Sequence, residues 1–380
     1  MMRNTRFAAG ALLLLSAMLA IGCSGPNSGA PGARDAPNAG DKVVNLYTWA
    51  DYIAPEVLES FEKTTGVKVR VALIETNGTL ETRMLTGHSG YDLVVPTAQD
   101  FPRQIRSGAY LALDKSKLPN LKNLDPGIMA RVALNDPENA HGIVYAWGTF
   151  GLGYNERKVA EVLPGVPVNS WRLIFDPAYA SKLAACGINI IDSPPTIVRL
   201  VLKYLGRDPN SPTPKDLAEA EAVLLKVRPY IRTIDSSLDI DAMATGDVCM
   251  VVASNGVVFV ARDRAREAKN GVQLAYVIPQ EGALLWFDML AIPKDAPHAL
   301  NAYLLMNYLM DPQVAATNAR RIGNASANAA ATPLVDASFA SDPMIYPTAN
   351  ETKGLFVQTS DSPEQTRAIT RLWQKFKTGQ

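Results

Sequence analysis

Residues Val43–Ile74 read VVNLYTW-ADYIA-PEVLESFEKTT-G-VKVRVALI, and this stretch decides the fold. The run Val43 to Trp49 is apolar and β-rich, so it is expected to be a strand. Pro55 then opens a pattern with Val57, Leu58 and Phe61 on one helical face, and Gly66 ends it. Val67 to Ile74 alternates and is β-branched, which makes a second strand. Strand, helix and strand at this spacing form a unit of a parallel α/β sheet, and ligands sit at the carboxyl ends of such strands. Trp49, Asp51 and Tyr52 fall at such an end, two flat rings around one carboxylate.

Working outward, Asn77 is expected to cap a helix through Leu80, Met84 and Leu85, and YDLVVP (Tyr91 to Pro96) reads as a third, buried strand. Pro96-Thr97 ends it on the same side of the sheet. The glycine-bearing stretch GIVYAWGTFGLGYNERKV (Gly142 to Val159) reads as extended chain crossing from a first lobe into a second, with Gly151 to Gly153 as strand and turn. CGINIID (Cys186 to Asp192) and DVCMVVASN (Asp247 to Asn255) are strands of the second lobe, with helices around Pro195 to Leu205 and Leu217 to Val227. LLWFDMLAIP (Leu284 to Pro293) is an apolar strand interrupted by a single carboxylate, Asp288. Helices follow over His298 to Leu309 and Pro312 to Arg320, and an amphipathic helix over Thr366 to Phe376 closes the chain.

The 380 residues suffice for two globular lobes with their own cores. Lys and Arg together number 37, as do Asp and Glu, so no basic excess points to nucleic acid or an anionic membrane surface. At the N-terminus, Arg3 and Arg6 precede an apolar run, Phe7 to Ile21, that is short for a membrane span and laid out as a secretory signal. It ends at Gly22-Cys23, similar to a bacterial lipoprotein box with Cys23 as the lipidated residue. Ser24 to Asp41, rich in Gly, Pro, Ala and Asn, reads as a flexible tether. In an oxidising compartment the two remaining cysteines, Cys186 and Cys249, are expected to form a disulfide.

Enzyme signatures are scarce. His88, His141 and His298 lie far apart, without metal-ligand spacing, and are expected on the solvated surface. There is no G-x-S-x-G, H-E-x-x-H or phosphate loop, and no cofactor motif. The Trp and Phe of the tail RLWQKFK are expected to pack, leaving its lysines in water. What remains is aromatic and acidic. An unpaired carboxylate within a core strand costs several kcal/mol, roughly, so Asp288 must meet a partner or a cleft. Carboxylates and rings at strand ends suit a primary ammonium, for which a ring face contributes about 0.5–2 kcal/mol.

Over nearly the whole chain from Val43, the sequence resembles the spermidine/putrescine-binding periplasmic proteins, the solute receptors of ABC importers. The collinear stretches are WADYIAPEVLESFEKTTGVKV, GYDLVVPTA, LDKSKLPNLKNLDP, GLGYNERKV, KYLGRDPNS, REAKNGVQLAYVIPQEGA and ANAAATPLV. The resemblance implies an α/β, two-lobed, type II periplasmic-binding-protein-like fold, with parallel-type sheets flanked by helices and a ligand cleft between lobes. On this reading residues 1–23 are the lipoprotein signal, 24–41 the tether, 42–145 lobe 1 (completed by about 275–325) and 146–274 lobe 2 (completed by about 326–380). It also implies that Cys186 pairs with Cys249.

Carried over by position, the resemblance places Trp49, Asp51, Tyr52, Ser236 and Asp288 at ligand-contacting positions. Thr97 stands where a serine is usual and Trp286 where a phenylalanine is usual. Ala50 replaces a polar serine, and Thr196 stands where a glutamate would grip an amine. Ser254 and Val257 stand where a tryptophan and an aspartate belong, and Asn324 where a tyrosine belongs. Two absent carboxylate contacts are worth roughly 3–6 kcal/mol, or two to four orders of magnitude in diamine affinity at about 1.4 kcal/mol per tenfold. Glu75, Asp100 and Asp192, near strand ends, are candidates to compensate. The expected protein is therefore a monomeric, lipid-anchored periplasmic receptor with no catalytic role, binding a small cationic amine and docking on an ABC permease. The alternative is a sensing or accessory lipoprotein on the same fold.

Overall fold

The computed structural model of the protein describes residues 41–379 except Asp51, Ser236, Ser237 and Ala349. The expected signal segment with Cys23, nearly all of the tether, and the site candidates Asp51 and Ser236 lie outside the described residues. Among the described residues no helix is long and apolar enough to cross a membrane.

The first sheet begins with β1 (Val43–Thr48), which pairs in parallel with β2 (Lys68–Leu73) and with β3 (Leu93–Val94). Between β1 and β2 runs the helix Pro55–Thr65. Pro55 supplies its first turn, Val57 and Phe61 its buried face, and Gly66 ends it at φ 71°. Between β2 and β3 the helix Asn77–Thr86 buries Leu80 and Met84. Its cap is Thr76, which forms a reciprocal capping box with Thr79, so Asn77 is already the first helical residue.

Strand β4 (Gly142–Asn155) is the longest, at 14 residues, and it belongs to both sheets. The second sheet holds β5 (Ile188–Ile190), parallel to β6 (Thr233–Ile234) and to β7 (Met250–Ser254), while β8 (Leu274–Val277) runs antiparallel to β4. Strand β9 (Leu284–Ala291) pairs antiparallel with β4 over Gly142 to Thr149, and β7 takes over from Phe150 to Tyr154. Two short strands, β10 (Ala325–Ser326) and β11 (Phe356–Val357), complete the ladder against β4 and β9. The α/β architecture with parallel strands flanked by helices is as expected. The turn assigned to Gly151–Gly153 is instead continuous strand, and Asn255, assigned to a strand end, opens the helix Asn255–Ala268.

Glycine lets β4 pass between the sheets. A Cβ at Gly148 would lie 2.2 Å from Asn255 Oδ1 and 2.6 Å from Trp286 Cζ2, so no side chain fits where the indole crosses this strand.

Two histidines sit differently from expectation. The Asp92 carboxylate, fully buried where β3 begins, accepts from Asn45 N and Nδ2 and from His298 N, and its Oδ2 is 3.0 Å from His298 Nδ1. It thereby ties β1 to the helix Ala299–Leu309. His141 lies 3.0 Å from the buried Asp136 in the same way. A buried carboxylate needs several donors, and a nearby imidazole supplies one. The tail is packed as expected, with Trp373 and Phe376 buried.

Cys186 and Cys249 form a disulfide with Cα atoms 5.4 Å apart, 63 residues apart in sequence, joining the approaches to β5 and β7. Closing a loop of that length in the unfolded chain stabilises the fold by roughly 4 kcal/mol. Equilibrium urea unfolding with and without a thiol reductant should therefore show a loss of this order, and an unchanged midpoint would mean that the unfolded chain gains nothing when the link opens.

Candidate ligand-binding cleft

The carboxyl ends of β1 and β3 and the middles of β9 and β4 enclose an open cavity of about 410 Å³. Five of the expected site residues line it: Trp49, Tyr52, Thr97, Trp286 and Asp288. Each is placed by its element. Trp49 follows the last residue of β1, and its indole Nε1 donates to Val95 O at 3.1 Å, which fixes the ring against the end of β3. Thr97 is reached because the chain beyond β3 stays paired to β9, with Ala98 N donating to Phe287 O at 2.9 Å and Met289 N to Pro96 O at 2.8 Å. That pairing puts Thr97 opposite Asp288.

Asp288 is 8% exposed and stands opposite Ala146 within the β4–β9 ladder. The Tyr52 hydroxyl donates to its Oδ2. A register shift in β4 between Val144 and Ala146 turns Tyr145 out of the ladder, and the Tyr145 hydroxyl donates to Tyr52 O at 2.9 Å, so the first tyrosine is held by the second. Burial raises the Asp288 carboxyl from its ordinary 3.8 to about 7, against the opposing pull of the Tyr52 hydrogen bond. Burial and the Asp288 charge both push the Tyr52 phenol well above its ordinary range, so it remains a donor. Among the described residues Asp288 is the one carboxylate lining the cavity, and no Lys, Arg or His joins it there. The charge is thus held by a neutral donor and faces open space.

The cavity also takes residues that the resemblance marks as departures, Ala50, Thr196, Ser254 and Asn324; Val257 is not among its lining. Asn77, Gln99, Phe150 and Ser193 line it as well and were not expected. Phe150 and Ser193 could have been found from strand order alone, as residues on the crossing strand and just beyond a β5 carboxyl end. The three candidate compensating acids do not reach the cavity. Glu75 is exposed, Asp100 accepts from Thr97 and pairs with Arg103, and Asp192 accepts from Trp373 Nε1 at 2.7 Å and Lys377 at 2.5 Å. Among the described residues no cluster of His, Cys, Asp and Glu could hold a metal ion. The arrangement offers one acceptor charge, two indoles and a set of neutral hydroxyls and amides.

These features belong to a receptor for small solutes, and the chain is a member of the bacterial extracellular solute-binding protein family, whose model matches residues 56–348. It is similar to the putrescine-binding periplasmic protein SpuD of Pseudomonas aeruginosa, with 43% identity over 364 residues, 95% of this chain and 98% of that protein. It is 44% identical over 343 residues to the putrescine-binding periplasmic protein PotF of Escherichia coli, covering 90% of this chain and 93% of the relative. Among solved structures it resembles the spermidine/putrescine ABC transporter substrate-binding protein PotD of Streptococcus pneumoniae, with a TM-score of 0.78 and 27% identity over 89% of this chain and 99% of that one.

The Asp288 environment sets a pH dependence. An unfolded aspartate ionises near 3.8 and this one near 7, so between those values the folded state holds the extra proton. The stability of the ligand-free protein should therefore fall as pH rises through that window. Asp288→Asn removes this component, and urea unfolding at pH 5 and pH 8 should show a smaller loss in the variant than in the parent.

Proposed function

We propose that this protein is the periplasmic solute receptor of an ABC importer for polyamines or a related cationic amine. The observation that carries the reading is the convergence of Trp49, Tyr52, Trp286 and the buried Asp288 on one open cavity. A primary ammonium placed there donates to Asp288 and lies against the indole faces. A charge-assisted hydrogen bond of this kind contributes roughly 1.5–3 kcal/mol and a ring face about 0.5–2 kcal/mol. Asp51 and Ser236 are proposed as further contacts. The similarity to receptors named for putrescine and spermidine supports the same choice.

In this mechanism the protein performs no chemistry. Residues 42–145 form the core of one lobe and 146–274 that of the other, and the lobes close about the shared strand β4 and its neighbour β9. Closure excludes water from the cleft, which strengthens the contact between ammonium and carboxylate. The permease then meets a shape that exists only with ligand bound. Lipidation of Cys23 would keep the receptor at the membrane surface, and Cys23→Ser should release it into the soluble periplasmic fraction.

Isothermal titration against putrescine, cadaverine, spermidine and mono-amine analogues tests the reading. Asp288→Asn should weaken the tightest amine by roughly 10- to 150-fold and Trp49→Ala by roughly 2- to 30-fold. Because the ammonium favours the ionised carboxylate, binding should release a proton near neutral pH and tighten from pH 6 to pH 8. Unchanged affinity in Asp288→Asn would show that the amine is held elsewhere.

A further inference from the structure

We infer that the ligand carries one ammonium and, at its other end, an uncharged hydrogen-bonding group of the amide type, as in an N-acylated diamine. The inference rests on the amine-binding reading above and concerns the part of the cleft that Asp288 does not serve. That part is built by the second sheet and the segment entering β10: Phe150 of β4, Ser193 and Thr196 beyond β5, Ser254 at the end of β7, and Asn324 before β10. None of these carries charge. An ammonium brings three donors and no acceptor, so a second one here would meet hydroxyls and an amide with no counter-charge.

What these side chains offer is mixed. Ser193 Oγ donates to Thr196 Oγ1 at 2.9 Å, which leaves the Thr196 proton for an acceptor. Ser193 and Ser254 each precede a helix (Pro194–Tyr204 and Asn255–Ala268) without capping it through their side chains. The positive ends of those two helices disfavour a cation beside them. Asn324 is 7% exposed and lines the cavity; its Oδ1 has no donor and lies buried against Gly256, where any Cβ would be 2.4 Å from it, so a ligand N–H reaches this oxygen when the amide turns toward the cavity. Acceptor-seeking hydroxyls and a donor-seeking amide oxygen together match a secondary amide, which has one N–H and one carbonyl. A carboxylate would satisfy the hydroxyls but would bring no donor to Asn324, and no cationic side chain among the described residues lines the cavity to balance it.

Titration calorimetry of the purified protein with putrescine, N-acetylputrescine and 4-aminobutyrate separates the cases. N-acetylputrescine is expected to bind at least tenfold more tightly than putrescine. Thr196→Glu puts a carboxylate in the first turn of its helix, where the dipole favours it, and should raise putrescine affinity at least tenfold while weakening N-acetylputrescine. Ser254→Asp, an acid at a helix cap, should do the same should the first variant not fold. Putrescine binding as tightly as the acylated amine in the parent protein, or an unchanged preference in folded variants of both kinds, would overturn the inference. So would 4-aminobutyrate binding best, since that requires an anion site here. Absence of binding by every amine, spermidine included, would instead remove the amine reading and this inference with it, a result distinct from a preference for putrescine.

Discussion

The antiparallel ladder between β4 and β9 is the constraint from which the other features of the molecule follow. It is the seam of the first sheet, it hands β4 on to the second sheet at Phe150, and it carries Asp288 and Trp286 into the cleft. Because side chains alternate along a strand, Asp288 and Trp286 share one face while Phe287 and Met289 point into the core. A carboxylate in this position is possible because the ladder leaves one face of β9 open to a cavity. Moving it one residue either way would bury it among apolar side chains with no donor.

The tyrosines show how the acid is kept in place without a cationic partner. Tyr52 gives Asp288 one hydrogen bond, and Tyr145, turned out of β4 by the register shift, holds Tyr52 by its backbone. A lysine or arginine partner would hold the carboxylate more strongly, but a cationic ligand would then have to displace it. A neutral donor orients the carboxylate and leaves its charge available. The raised Asp288 pKa follows from this choice, since burial is opposed by a single hydrogen bond. Tyr145 lies in β4 and Tyr52 in the loop between β1 and the helix Pro55–Thr65, so both hold the acid from the side of the first sheet.

Much of this was legible in the sequence. The strand–helix–strand unit over Val43 to Ile74 carried its own punctuation in Pro55 and Gly66; alternation located β2, and apolar or glycine-bearing extended runs located β1, β4 and β9. Asp288 announced itself as a carboxylate in an apolar run. What escaped was whatever depends on distant partners. His298 looks like a surface loop residue until Asp92, about two hundred positions away, is seen to accept from it. Asp192 lies just beyond a strand, as a ligand-binding acid would, yet the final helix claims it through Trp373 and Lys377. Local chemistry marks which residues could serve a site, and the packing of remote helices decides which remain free to do so.

The cleft is chemically lopsided, with its one described carboxylate on the side of the first sheet. On the proposed reading, an amine enters with its charge against the first sheet, where Asp288 and the indoles wait in a partly dehydrated pocket. The second sheet then closes over whatever part of the ligand extends beyond. Its contribution comes from the starts of two helices, Pro194–Tyr204 and Asn255–Ala268, which point their positive ends at the cavity. A receptor for a symmetrical diamine must overcome that field with acids of its own on this side, and the described residues of this one supply hydroxyls and an amide instead. The affinity such a wall can add is modest, because neutral hydrogen bonds contribute about 0.5–1.5 kcal/mol each. Its power to discriminate is larger, because a buried ammonium without a partner there forfeits its hydration with nothing in return. On the proposed reading grip resides in one sheet and selectivity in the other, and changes on the second wall would retune the ligand while leaving the anchor in β9 untouched.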